Sequence, residues 1–312
     1  MIKISSLSLL HTTTILLLVL GLQASAQKRE VDAHFTAMRD KQAVTSLSFE
    51  AKKEDQYIAP LTAYLQDTVS SLRAEAYYLL CQLGTKTKQK STRKRVVSVL
   101  IRGWQDKDKG IQRLVDNGLA RFQSQDFDRA ALDSVRSRVR RLPSSPGALF
   151  RLVGYLQLQD LALKIKSYVE EEAPALRAQD RWAGYIALAR LGDQQAVDVI
   201  LNRVRMFGVN DDAVYELFPD LVYTRSYRAI HYLEEVLFSD ERKCGAPSAE
   251  SRQKMTCAYR VMELLAPVIK DYPVAATAGG GVATNNYPQA LETTRAWFKQ
   301  QNGKYEIIRD AF

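Results

Sequence analysis

The chain has 312 residues, with 44 Lys and Arg against 35 Asp and Glu, three His, three Cys and a formal charge of +9. Nine Pro and 15 Gly exclude collagen-like and low-complexity chains, and three His leave little for a His-based metal or catalytic centre. A chain of this length buries roughly 75% of its unfolded surface, so a large core is expected.

Residues 1–26 read as an export signal. Lys3 supplies the positive start, Leu7 to Leu22 the apolar stretch, and Ala24-Ser25-Ala26 the small-residue cleavage site, with Gln27 as the mature start. The continuous apolar run from Ile15 to Leu20 is far short of the about 20 residues that span a bilayer, so no transmembrane segment is expected after cleavage. Cutting between Ala26 and Gln27 removes one Lys and leaves 286 residues with a formal charge of +8. The expected location is the bacterial periplasm or the outside of the cell.

Residues 27–56 are polar and charged, with Phe35 and Met38 on a helical stripe, and predict an N-terminal capping helix. From 57 to 272 the chain repeats itself. Arg73-x-x-Ala76-Tyr77-x-x-Leu80-x-x-Leu83-Gly84 matches Arg181-x-x-Gly184-Tyr185-x-x-Leu188-x-x-Leu191-Gly192. Arg151-x-x-Gly154-Tyr155-x-x-Leu158-x-x-Leu161 and Met255-x-x-Ala258-Tyr259-x-x-Met262-x-x-Leu265 follow the same template, and weaker copies start at Gln112 and Asp211. Each copy sets apolar or small residues three, four, seven and ten positions on, which is one face of an α-helix. The small residue lets a neighbouring helix come close.

Second amphipathic segments lie between the copies, for instance 93–101, 130–135, 196–204 and 229–237. The copies are spaced 39, 39, 30, 30 and 44 residues apart, so the unit is a helix pair. No alternating run of strand type is evident. Helix pairs at such a period predict an all-α stacked solenoid of about six pairs.

The junction Ala187-Leu188-Ala189-Arg190-Leu191-Gly192-Asp193-Gln194-Gln195-Ala196-Val197 resembles that of the HEAT-repeat family, and Leu80-Cys81-Gln82-Leu83-Gly84 repeats its core. The resemblance covers roughly residues 57–270. It implies a right-handed, armadillo-type α-solenoid of antiparallel helix pairs with a concave face for binding. It implies no particular ligand. That face would carry Glu75, Gln82, Arg113, Asn117, Gln157, Arg190 and Arg260, which stand beside the core positions.

Cys81 lies in an apolar helical stretch and reads as a core residue. Cys244 and Cys257, 13 apart, are candidates for a disulfide in an exported chain. Residues 273–312 predict a Gly/Ala loop over 274–286 and a final capping helix from Gln289 to Gln301, whose Trp297 and Phe298 would close the last repeat. The loop's glycines lack the Lys-Ser/Thr of a phosphate loop.

Two basic runs stand out. Lys86, Lys88, Lys90, Arg93, Lys94 and Arg95 crowd ten residues without an acid, and Arg136, Arg138, Arg140 and Arg141 follow Val135. Both are candidate anion-binding clusters. His231 and Glu235 stand one helical turn apart but lack the further ligands a metal needs. No nucleotide fingerprint, Ser/His/Asp set or zinc motif is present. The sequence therefore predicts a non-catalytic protein-binding or scaffold protein of the cell envelope, without a cofactor or nucleic acid. An anion-binding protein for glycans or lipid headgroups, and an accessory or enzyme acting on envelope polymers, are the alternatives.

Overall fold

The structure is a computed structural model that describes residues 26–43, 46–171, 176–245 and 253–310. The export signal, apart from Ala26, lies outside the described residues, and so does Glu172 of the acidic run 170–172. The described residues are mostly helical and fall into two compact units, one up to Ser134 and one from Val135 onward.

The first unit opens with α1 over 26–39, which buries Val31 and Phe35 and leaves Met38 half-buried. Gln27 is itself buried in this helix, and Ala26 is exposed. The capping helix thus ends well before 56, and the described residues between it and α2 form turns and irregular backbone. Then come α2 (Asp55–Ala63), α3 (Ser70–Lys86), α4 (Lys90–Leu100) and α5 (Lys109–Leu119). α3 packs on α2, α4 and α5, and α4 also packs on α2. The core positions of the first copy, Ala76, Tyr77, Leu80 and Leu83, are buried, as are Val96 and Leu100 of α4 and Val115 and Leu119 of α5, the helices packed on α3.

The division between the units falls within α6 (Arg129–Arg140). The second unit holds α7 (Gly147–Tyr155), α8 (Ala162–Glu170), α9 (Ala178–Arg190) and α10 (Gln194–Phe207). A π-helical turn at Ala213–Leu217 runs into α11 (Phe218–Thr224), followed by α12 (Tyr227–Leu237), α13 (Ala258–Leu265) and α14 (Tyr287–Gln301). The template helices touch in succession, α7 on α9, α9 on α11 and α11 on α13. Between them α8 and α10 pack on α9, and α12 packs on α10, α11 and α13.

The small residues of the template explain these close approaches. A Cβ added to Gly154 would stand 3.1 Å from the Ala187 Cα of α9, and one on Gly184 would stand 2.4 Å from a Val169 methyl of α8. The two Leu-Gly endings do different work. After α9, Gly192 takes φ +99°, turns the chain, and Asp193 then caps α10 by accepting the Ala196 N–H at 2.9 Å. Gly84 instead stays inside α3, where its missing side chain admits the Phe122 ring.

The copy that starts at Arg151 is not one continuous helix. α7 stops at Tyr155, and Gln157 adopts φ +55°, so Leu158 and Leu161 reach the core from a turn and a 3-10 helix. Two two-residue strands, β1 (Cys244–Gly245) and β2 (Lys254–Met255), form an antiparallel pair too short to read as alternation. Residues 274–286 are folded back on themselves, with an Ala276–Val282 bridge and Thr277 N–H donating to Gly281 O at 2.9 Å.

Candidate functional site

Arginines at helix starts organise the first unit. Arg73, in the first turn of α3, donates from Nη1 to the carbonyls of Asp67 and Thr68 in the linker before it, at 2.9 and 3.3 Å. Its Nε and Nη2 reach the Asp106 carboxylate at 2.7 and 2.9 Å. Arg93, in the first turn of α4, repeats the arrangement with the Lys88 carbonyl at 3.0 Å and the Asp126 carboxylate at 2.9 and 3.0 Å. Arg39 of α1 pairs likewise with Asp67. The Arg73 guanidinium holds the Asp106 carboxyl below the usual carboxylate range, with the Asp108 N–H adding to the effect and burial opposing it.

These ion pairs absorb much of the first basic cluster. Arg93 is bound to Asp126, Arg95 to Asp55, and Lys90 donates to Gln125 at 2.7 Å. Lys94 is half-buried. Lys86 and Lys88 are exposed, and among the described residues their ammonium groups have no hydrogen-bond or ion-pair partner. They border a groove of about 370 Å³ that also takes in Arg93, Arg121, Phe122 and Asp126. In the second cluster Arg136 is held by Asp160 at 2.9 Å, Arg141 by Ser137 at 2.8 Å, and Arg140 adds its field to Asp160. Arg138 is half-buried. The two clusters fall in different units.

In the second unit, Asp220 of α11 accepts from Arg151 of α7 and from Trp182 Nε1 of α9, both at 2.6 Å. Tyr215 is 63% exposed and lies under the Arg260 guanidinium, 5.4 Å away. Arg260 also donates to Glu263, which accepts the Tyr287 hydroxyl at 2.7 Å. Trp182, Tyr185 and Tyr259 are half-buried on the same run of template helices.

The predicted contact residues divide. Arg113, Asn117 and Gln157 are exposed, Gln82 and Arg260 half-exposed, and Glu75 bonds to His34 at 3.1 Å. Arg190 is not at the surface. Its side chain is 1% exposed, donates to the carbonyls of Tyr223 and Arg309 at 2.7 and 2.8 Å, and lies 4.4 Å from the Tyr223 ring centre. Burial pulls its pKa down. Arg225 beside it donates to the Ile308 carbonyl at 2.9 Å, and its pKa falls to about 10 through burial and the neighbouring Arg190 charge. Residues 305–310 thus lie over two buried guanidiniums that local periodicity cannot reveal. Their one sequence signal is the apolar Tyr305, Ile307 and Ile308 in a polar segment.

Cys244 and Cys257 are joined in a disulfide next to the short β pair, and both are buried. The hairpin is also held to the start of the π turn, because Asp211 accepts the Gly245 N–H at 2.9 Å. Asn210 Oδ1 accepts the Ala213 N–H at the start of that turn, at 2.9 Å. Cys81 is a free buried thiol, and burial raises its pKa. His231 is 69% exposed, 3.6 Å from Glu234 and 3.8 Å from Glu235. Among the described residues no set of three or more metal-ligating side chains converges, and no helix is long and apolar enough to cross a membrane.

No family model, no curated protein and no solved structure matches this chain. By its own structure it is an all-α protein.

Proposed function

We propose that this is a non-catalytic binding protein of the bacterial cell envelope, and that its HEAT-like helix pairs form a right-handed α-solenoid that scaffolds a protein partner. The observation that carries the reading is the row of template helices in the second unit. α7, α9, α11 and α13 pack in sequence, and along them lie the half-buried Trp182, Tyr185, Tyr259 and Arg260, with the exposed Tyr215 in the π turn before α11. Large amphipathic rings beside arginines are the residues that dominate protein interfaces. Export is supported by the signal-like start and by the Cys244–Cys257 disulfide, since disulfides persist in oxidising compartments.

The test is photo-crosslinking in intact cells. A crosslinking residue at Tyr215 or Asn117 should give one defined adduct. The same residue at Met206, on the intervening helix α10, should give none. Equal adducts from both rows, or none from either, would defeat the reading.

A further inference from the structure

We propose that the groove of the first unit bordered by Lys86, Lys88 and Arg121 is a binding site for a phosphoryl group. The proposal stands apart from the scaffold reading, because it concerns other residues in the other unit. The groove holds about 370 Å³, enough for a phosphoryl group and part of what carries it. Its floor is the contact between Gly84 and Phe122. A Cβ at Gly84 would lie 2.6 Å from the Phe122 ring, so the floor is closely packed.

Its electrostatics are one-sided. Among the lining residues the one acid is Asp126, whose carboxylate is 0% exposed and already accepts from Arg93 and from the Gln123 N–H. Arg93 and Asp126 cancel, which leaves Lys86, Lys88 and Arg121, all exposed, facing no open carboxylate. Three cations lining one concavity suit a compact anion of about two charges, and a guanidinium with two ammonium groups supplies both a planar fork and point charges, Arg121 also donating from Nη1 to Cys81 Sγ at 3.9 Å.

The site is also held in shape. The linker that carries Lys88 is pinned from two directions. Thr87 is buried, donates its N–H to Leu83 O at 3.0 Å, and its hydroxyl accepts the Gln89 N–H at 3.2 Å. The Lys88 carbonyl accepts from Arg93 Nη1 at 3.0 Å, and Arg93 is locked by Asp126. The Arg93–Asp126 pair therefore fixes the backbone under the lysines without spending its own charge on the ligand. A preformed backbone lowers the ordering cost of binding.

The test titrates the full chain with inorganic phosphate by calorimetry, and with vesicles of anionic phospholipid in neutral lipid by sedimentation. Lys86→Gln/Lys88→Gln, which removes two cations, and Arg121→Gln, which removes one, should each weaken binding by about tenfold or more, the loss of at least one charge-assisted hydrogen bond. Lys109→Gln/Lys304→Gln removes the same charge elsewhere and should change it less than about twofold. All these side chains are exposed, so circular dichroism and melting should be unaltered. A response to free phosphate alone would assign a soluble phosphate ester. Capture on vesicles that phosphate competes away would assign a lipid headgroup. Equal losses in the groove and control variants would overturn the proposal as diffuse charge attraction. Binding of polyglutamate without any binding of phosphate would overturn it in favour of carboxylates.

Discussion

Arg73 and Asp106 meet 33 residues apart, and Arg93 and Asp126 meet at the same separation. In both cases the arginine is in the first turn of its helix and the aspartate lies three residues before the next helix but one. Each arginine also satisfies carbonyls of its own linker. One residue type thus solves two problems, closing the orphan carbonyls of one linker and fixing the spacing to the next. Gln112 stands at the template position of Arg73 and does the first half of the job, donating to the Asp106 carbonyl at 2.7 Å.

Asp106→Ala should destabilise the first unit by about 3–5 kcal/mol, because it strands a guanidinium that is only 5% exposed. Urea unfolding of the variant measures this. A cost below about 1 kcal/mol would mean that solvent or the linker carbonyls satisfy Arg73 instead.

The same pair sets a pH dependence. The folded Asp106 carboxyl has a pKa below the unfolded value of about 3.9. Its contribution is therefore complete above about pH 4 and fades as pH falls through the lower folded value. The stability difference between the wild type and Asp106→Asn should be constant from pH 7 to 5 and shrink toward pH 2. A difference that grows on acidification would contradict the assigned pairing.

Gly154 and Gly192 should respond to alanine for different reasons. At Gly154 the new methyl meets the Ala187 backbone at 3.1 and 3.2 Å, so α7 and α9 must separate, at about 1–3 kcal/mol. At Gly192 nothing lies within 4 Å, and the cost, about 1 kcal/mol, comes from φ +99° alone. Thermal melts separate the two, and Gly192→Asn should recover part of the loss because Asn tolerates a left-handed backbone better.

Reduction of Cys244–Cys257, or Cys244→Ser, should cost about 3 kcal/mol for a loop of this length. Exchange of the Gly245 amide, held by Asp211, should rise with it. Cys81→Ser leaves the disulfide in place, so its melting point should still fall with reductant, whereas that of Cys244→Ser should not.

How far the sequence shows this fold depends on how far away each partner lies. α3, α5 and α9 are legible because their cores recur every three or four residues and the side chains on that face are buried, apart from the half-buried Tyr185. The break after Tyr155 is invisible, since Leu156 and Gln157 carry no turn chemistry. Arg190 sits beside Leu188 and Leu191 at a position that periodicity turns away from the core, and its partners are Tyr223, 33 residues on, and Arg309, 119 residues on. The basic runs are plain in the sequence, but Asp55, Asp126 and Asp160, which neutralise half of their arginines, lie 24 to 40 residues away. What the fold leaves open is narrower than the runs suggest.

The buried arginines under residues 305–310 give the two units different folding problems. The arginine ties of the first unit close loops of about 33 residues, so each helix pair can be secured as soon as the next has formed. In the second unit Arg225 waits for Ile308, 83 residues on, and Arg190 for Arg309, 119 residues on. Closing those loops comes late and at greater entropic cost. Until then each guanidinium has only its nearer carbonyl, Tyr223 O for Arg190 and Val222 O for Arg225, so the second unit should gain the last of its stability in one final step, whereas the first gains it helix by helix.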